Sequence, residues 1–238
     1  MSGTAQVGTS QVGTLKVLST LGVKGVLEVL LPRFEKEAGV KVDASFDPTA
    51  MLVKRIAAGE TGDVALLTSE AVDTLMASGV LAKGSRVDLA RSQVGLAVPK
   101  GAARPDISST AAVTALLKAT PSIAYSKAGA SGIFFAGVLD RLGLRQMVDA
   151  KATVIPAGFT GELLKDGRAA LAVQQVSELM AVPDVDILGP LPPEIQDDLI
   201  FSGGIFASGN VERARQFLGA ISGPATAGLY RAKGLYEI

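Results

Sequence analysis

The chain has no cysteine, no histidine and no tryptophan in 238 residues. Without cysteine there are no thiol nucleophiles, no disulfides and no thiolate-held iron–sulfur clusters. Without histidine, imidazole bases and the common zinc ligand sets are excluded too. Aromatic residues are 5% of the chain, too few for a platform on which sugars or bases stack. Neither sign of charge is in excess, because 23 Lys and Arg balance 23 Asp and Glu. That balance argues against a nucleic-acid-binding face while leaving room for a local basic pocket. No apolar run approaches the ~20 residues of a membrane helix. Neither G-x-x-x-x-G-K-[ST] nor G-x-G-x-x-G occurs, so nucleotide binding has little support. Any chemistry must use Lys, Asp, Glu, Ser, Thr, Tyr, Gln or backbone amides, and no metal or cofactor is expected.

What is present is a chain 48% apolar, long enough to bury one large core or two small ones. The opening MSGTAQVGTSQVGT, residues 1–14, lacks the basic start and apolar stretch of a signal peptide and reads as a disordered lead-in. With Met1 as the natural start, a cytoplasmic monomer is expected. With Met1 an engineered start behind a removed signal, the expectation is periplasmic, with an ABC-transporter permease as partner.

Residues 15–79 alternate strand and helix three times. LKVLST reads as a strand, and in VKGVLEVLLPRFEKEAG the residues Val23, Val26, Leu27, Leu30, Leu31 and Phe34 share one helical face, with Gly39 suited to the cap and Pro32 predicting a kink. VKVDASF is a second strand. DPTAMLVKRIAAGE is a helix with Asp47 as N-cap, Pro48 in its first turn and Gly59 as stop, GDVALLT a third strand and EAVDTLMASG a third helix. Such alternation means a parallel sheet in an α/β domain. SQVGLAVPKG is expected to cross into a second series: SSTAAVTALLKA, SIAYS, GIFFAGVLDRLG, ATVIPAG, TGELLKDG, AALAVQQ and VDILGPLPPEIQ. LIFSGGIFAS then crosses back before the helix NVERARQFLGAIS, with Asn210 as N-cap and Val211, Ala214, Phe217, Leu218 and Ile221 inward. This predicts one lobe from residues 15–96 with 200–238, a second from 97–199, and a hinge near 93–99 and 200–207.

Ligands of open parallel sheets sit beyond the C-terminal strand ends, where helices begin. Four such junctions, STLGVKG, FDPTA, YSKAGASG and AGFTGE, pair small residues with hydroxyls or a lysine. Helix N-termini there present unpaired N–H groups and a partial positive charge, so they hold anions. Thr20, Thr160, Lys24 and the strand-end Thr68 are candidate ligand contacts on this reading. Ordinary capping explains the same residues.

In order and spacing, FEKEAGVKVDASFDPTAMLVKRIAAGETGDV, AYSKAGASGIFFAGVLDRLGL, GRAALAVQQVSELMAVPDVDILGPLPPEIQ and QFLGAISGPATAGLYRAKGL resemble the class II periplasmic binding proteins, on their molybdate-binding branch. The resemblance covers residues 15–236. It implies two lobes, each a mostly parallel sheet flanked by helices, joined by a two-strand hinge and closing on a small ligand. Carried over by position, Thr49 matches a hydroxyl that holds oxyanions, and Ser131 and Gly132 match a site that donates backbone N–H groups. Gly22 stands where the family has Ser, and Gln175 where molybdate binders place Tyr. A Lys and a Gln suit a planar carboxylate better than molybdate, so the expected ligand is a small di- or tricarboxylate or another oxyanion. The branch also includes relatives resembling aconitate isomerase, which implies an alternative: an allylic proton shift on an unsaturated acid. Asp47, Lys24 and Glu178 are the candidate groups. Asp47 and Lys24 lie on junctions and are the expected pair, whereas Glu178 reads as a solvated helix residue.

Overall fold

A computed structural model of the protein describes residues 13–238; residues 1–12 of the expected lead-in lie outside the described ones. The first lobe is built on strands β1 (Thr14–Ser19), β2 (Lys41–Phe46), β3 (Val64–Thr68), β4 (Val87–Ser92) and β10 (Leu199–Ile205), in the order β2-β1-β3-β10-β4. β1 pairs parallel with β2 and β3, and β10 runs antiparallel between β3 and β4. The second lobe carries β5 (Val94–Pro99), β6 (Ile123–Ser126), β7 (Ala152–Ile155), β8 (Leu171–Gln175) and β9 (Val185–Pro190), in the order β7-β6-β8-β5-β9. Here β6 pairs parallel with β7 and β8, and β5 runs antiparallel to β8 and β9.

Ten helices flank the sheets among the described residues: α1 (Lys24–Ala38), α2 (Thr49–Ala57), α3 (Ser69–Ala77), α4 (Thr110–Ala119), α5 (Ala130–Arg141), α6 (Arg145–Asp149), α7 (Glu162–Lys165), α8 (Val176–Leu179), α9 (Val211–Ser222) and α10 (Ala227–Ala232). None is long and apolar enough to cross a membrane. β3 is buried along its whole length, because helices cover both faces of the sheet. On one face Leu15, Val17 and Leu66 pack with α1 and α9, where the Phe34 and Phe217 rings meet edge to face at 5.2 Å. On the other, Leu18, Leu67, Leu52 and Leu81 form a separate cluster. The second sheet is sandwiched likewise, with Leu96, Val173 and Phe135 on one side and Ala97, Ala172 and Leu164 on the other.

The predicted inward face of α1 is buried or packed against the core, and the helix ends at Gly39 with φ +63°, a left-handed conformation that glycine adopts without Cβ strain. α1 continues as helix through Pro32. Two expectations differ. α2 begins at Thr49 with Pro48 as its cap residue, and Asp47 makes no cap; its carboxylate instead pairs with Arg55. Val211 is 40% exposed while the other four inward residues of α9 are buried.

SQVGLAVPKG is not one long strand. The irregular VDLARS before it forms β4 in the first sheet, and the ladder of β5 to β8 starts at Val94. The chain therefore passes between the lobes at Gln93 and again in residues 191–198, outside the middle of β5 where the sequence put the boundary. The two passages are tied together. Gln196 bonds both backbone groups of Val94, accepting at 3.3 Å and donating at 2.7 Å, and Gln93 donates to Asp198 at 2.9 Å.

Candidate functional site

The C-terminal ends of the parallel strands of both sheets converge on one small cavity between the lobes. Its wall is made by Thr20 and Leu21 after β1, Pro48 and Thr49 after β2, Ser126 at the end of β6 with Gly129 and Ala130 after it, and Gly158 after β7. Gln174 and Gln175 at the end of β8, Glu178 on α8 and Phe201 on β10 complete it. The volume is about 10 Å³, room for about one water. Through Thr49, Ala130 and Gln175 it adjoins a cleft of about 660 Å³ between α2, α3 and α5, a size that takes a small organic ligand.

Three hydroxyls at this place are buried without a hydrogen-bond partner: Thr49 Oγ1, Ser126 Oγ and Ser131 Oγ. An unpaired buried polar atom costs about 1–3 kcal/mol, so a cluster from both lobes demands an explanation. A ligand bearing acceptor oxygens supplies one. The first turns of α2 and α5 reach the same wall, and their leading N–H groups have no carbonyl inside the helix to bond. Two helix N-termini reaching one cavity make it attractive to anions.

The bare start of α5 follows from packing. A Cβ at Gly132 would lie 1.7 Å from the Ser126 carbonyl oxygen, and one at Gly129 would lie 2.4 Å from Ser126 Oγ. The helix is seated so closely on the end of β6 that only glycine fits, which brings its first turn against the Ser126 hydroxyl.

Glu178 is the only ionisable side chain in the wall as described. It is 8% exposed, and burial pushes its carboxyl up to about 7, against the opposing bonds from the Gln175 amide and the Gln174 side chain. The Gln175 N–H donates to its Oε2 at 3.3 Å. Gln174 is itself fixed: its Oε1 accepts from the Thr160 N–H at 2.7 Å and hydroxyl at 3.0 Å, and its Nε2 donates to the Gly158 carbonyl at 3.0 Å. With the oxygen end taken by Thr160, the amide group is left to face Gly158 and Glu178.

The structure thus brings together Thr20, Thr49 and Gln175 in the wall, with Ser131 beside Ala130. It places the other expected contacts elsewhere. Thr160 is fully buried and holds Gln174 rather than lining the cavity. Thr68 lines the adjoining cleft. Gln175 Oε1 accepts from the Ser92 hydroxyl at 2.7 Å, a bond between the lobes. Gly22 packs on Phe201, whose ring would stand 2.2 Å from a Cβ there; that ring fills the space a serine side chain would use. Lys24 lies outside the wall, paired with Glu28 at 3.7 Å, its Nζ 5.7 Å from the Phe46 ring centre and 5.5 Å from that of Phe159. Asp47 is also outside, held by Arg55, which pairs with Glu60 as well.

Ser126 and Gln174 complete the site beyond the residues singled out in the sequence, and Glu178, expected to be a solvated helix residue, is instead buried in the wall. The hint was AVQQVSEL, where an apolar strand ends in two glutamines and an acid follows three residues later. This is a fifth strand-to-helix junction, overlooked because α8 is only four residues long.

A family model described as bacterial extracellular solute-binding protein matches residues 15–236. The chain belongs to this family. Among characterised relatives, an aconitate isomerase from a Pseudomonas species is 37% identical over 245 residues, covering 100% of this chain and 93% of that protein. The fold is that of the Azotobacter vinelandii periplasmic molybdate-binding protein, which superposes with a TM-score of 0.80 at 21% identity, covering 94% of this chain and 99% of the other. The sulfate-binding protein of Mycobacterium tuberculosis matches with a TM-score of 0.74 at 15% identity, covering 95% and 87% of the two chains.

Proposed function

We propose that the protein closes its two lobes on a small di- or tricarboxylate, and that on an unsaturated acid of the aconitate type it moves a proton between allylic carbons. The observation that carries this reading is Glu178: one buried carboxyl, with a proton affinity raised toward neutrality, in a wall otherwise made of uncharged residues. Thr49, Ser126, Ser131 and the first turns of α2 and α5 hold the carboxylates. Once Glu178 in the complex has given up its own proton, its carboxylate takes a proton from the methylene next to a carboxylate of the acid, and the electron pair spreads over the allyl system into that carboxylate. The same carboxyl, its proton in exchange with solvent, then delivers a proton to the former vinylic carbon, and the double bond has moved with nothing gained or lost. A group with an affinity near the working pH both accepts and returns a proton readily. We assign the base to Glu178 rather than to Asp47, whose carboxylate is engaged by Arg55, or to Lys24, which lies outside the wall. The relative named aconitate isomerase supports the reaction class.

Simple capture, as in a transport receptor, is the second reading, supported by the three hydroxyls and two helix N-termini that need no reaction to be useful. Incubation with cis- and trans-aconitate separates the two. Interconversion by the wild type that is lost in Glu178→Gln supports the isomerase. Saturable binding with no interconversion over hours leaves a receptor, and binding of neither acid removes the carboxylate assignment.

A further inference from the structure

The cavity wall combines donors suited to an anion with a carboxyl group and no cation. An anion seated there meets Glu178 at close range, where water is excluded and like charges repel strongly. Neighbouring charges offer no relief. Of the elements packed on α8, β5 and β8 carry no ionisable residue, and neither does the short turn Leu21–Val23. β9 brings Asp186, which is bound to Lys100 at 3.2 Å. α1 brings Lys24, paired with Glu28, and in later turns Arg33, Glu35, Lys36 and Glu37. The turn at Gly234, beside Lys233, packs against Val176 and Ser177. None of these acts on the Glu178 carboxyl, whose state is governed by burial and by the bonds from Gln175 and Gln174.

We infer that an anion enters this cavity, which must widen from about 10 Å³ to take it, only together with a proton, held between Glu178 and the ligand. The inference rests on the cavity being the anion site and goes beyond it in making Glu178 a determinant of which ionic form is taken. A hydrogen-bearing oxyanion brings the proton itself, whereas a fully ionised one must find it on Glu178. Affinity for a fully ionised ligand therefore falls with rising pH once the carboxyl of the free protein has lost its proton.

The test is isothermal titration calorimetry of the full chain with sulfate and with trans-aconitate, in two buffers of different ionisation enthalpy. At about pH 8.5 the wild type should take up close to one proton per anion, and its Kd should rise about tenfold per pH unit above neutrality. Uptake should vanish at about pH 5, where the free protein already carries the proton. Glu178→Gln should bind with a nearly flat pH dependence and no uptake; the wild type in two buffers decides the matter alone if that variant does not fold. Binding at about pH 8.5 without proton uptake overturns the inference while leaving the cavity as the anion site. Binding of neither anion at any pH overturns both.

Discussion

Replacing Glu178 with Gln keeps the shape of the side chain and removes its titrating proton. Burial raises this carboxyl from the ordinary 4.5 to about 7. Below pH 4.5 the folded and unfolded chains both carry the proton, and the group does not discriminate between them. Between 4.5 and about 7 the folded chain keeps a proton that the unfolded chain has lost, so stability falls as the pH rises, and above about 7 the fall is complete. At about 1.4 kcal/mol for each tenfold in proton affinity, the loss is about 3 kcal/mol. Carboxylates held low by arginine, such as Glu60 at about 2, change stability below 4.5 and lie outside this window. Urea unfolding followed by circular dichroism at about pH 4.5 and about pH 8.5 reads the difference. Glu178→Gln should match the wild type at the lower pH and exceed it by about 3 kcal/mol at the higher. Two proteins whose stabilities run parallel across this range would refute the burial argument.

Removing an unpaired hydroxyl should separate stability from binding. Thr49→Ala, Ser126→Ala and Ser131→Ala each delete a buried polar atom without a partner, so each should leave the protein equal or up to about 1 kcal/mol more stable in denaturant. Each should weaken binding of trans-aconitate several-fold by calorimetry; a variant that loses stability and keeps affinity would contradict the placement. Gly132→Ala forces a Cβ against the Ser126 carbonyl and should cost more than about 3 kcal/mol, measured by thermal unfolding, and near-neutral behaviour would contradict the close seating of α5. Lys24→Met keeps an aliphatic stem between Phe46 and Phe159 and should change unfolding free energy by less than about 1 kcal/mol. A larger loss would show that the ammonium has a partner beyond the two rings and Glu28. Small-angle scattering should give a smaller radius of gyration with ligand than without, as the lobes turn about Gln93 and residues 191–198. An unchanged radius at saturation would mean a cleft that stays closed.

Much of the fold is legible in the sequence because the apolar spacing changes cleanly from strand to helix in both halves, and because the strands end in short hydroxyl- and glycine-rich turns. The elements that escaped were irregular or very short. VDLARS carries two charges in six residues, so its pairing with β10 depends on a strand more than a hundred residues away. VSEL makes a single turn, too little for any helical period, yet it carries the carboxyl that matters most to the site. Thr49 and Gln175 were recoverable from position in the family pattern. The separation of Lys24 and Asp47 from the cavity was not, because it depends on partners, Arg55 and Glu28 with the Phe46 and Phe159 rings, that only the folded chain assembles. Gly22 shows the same limit: its lack of a side chain is explained by Phe201, which arrives from the strand returning to the first sheet.

The most direct test of the account follows the hydrogen that moves. Proton NMR of trans-aconitate in deuterated water with catalytic amounts of the wild type should show the cis isomer appearing and deuterium entering the migrating position. The initial rate at saturating substrate should rise with pH through neutrality and beyond as Glu178 in the complex loses its proton, and Glu178→Gln should abolish both signals. An unchanged spectrum over hours in the presence of demonstrated binding would contradict proton transfer by Glu178, and so would undiminished exchange in the variant.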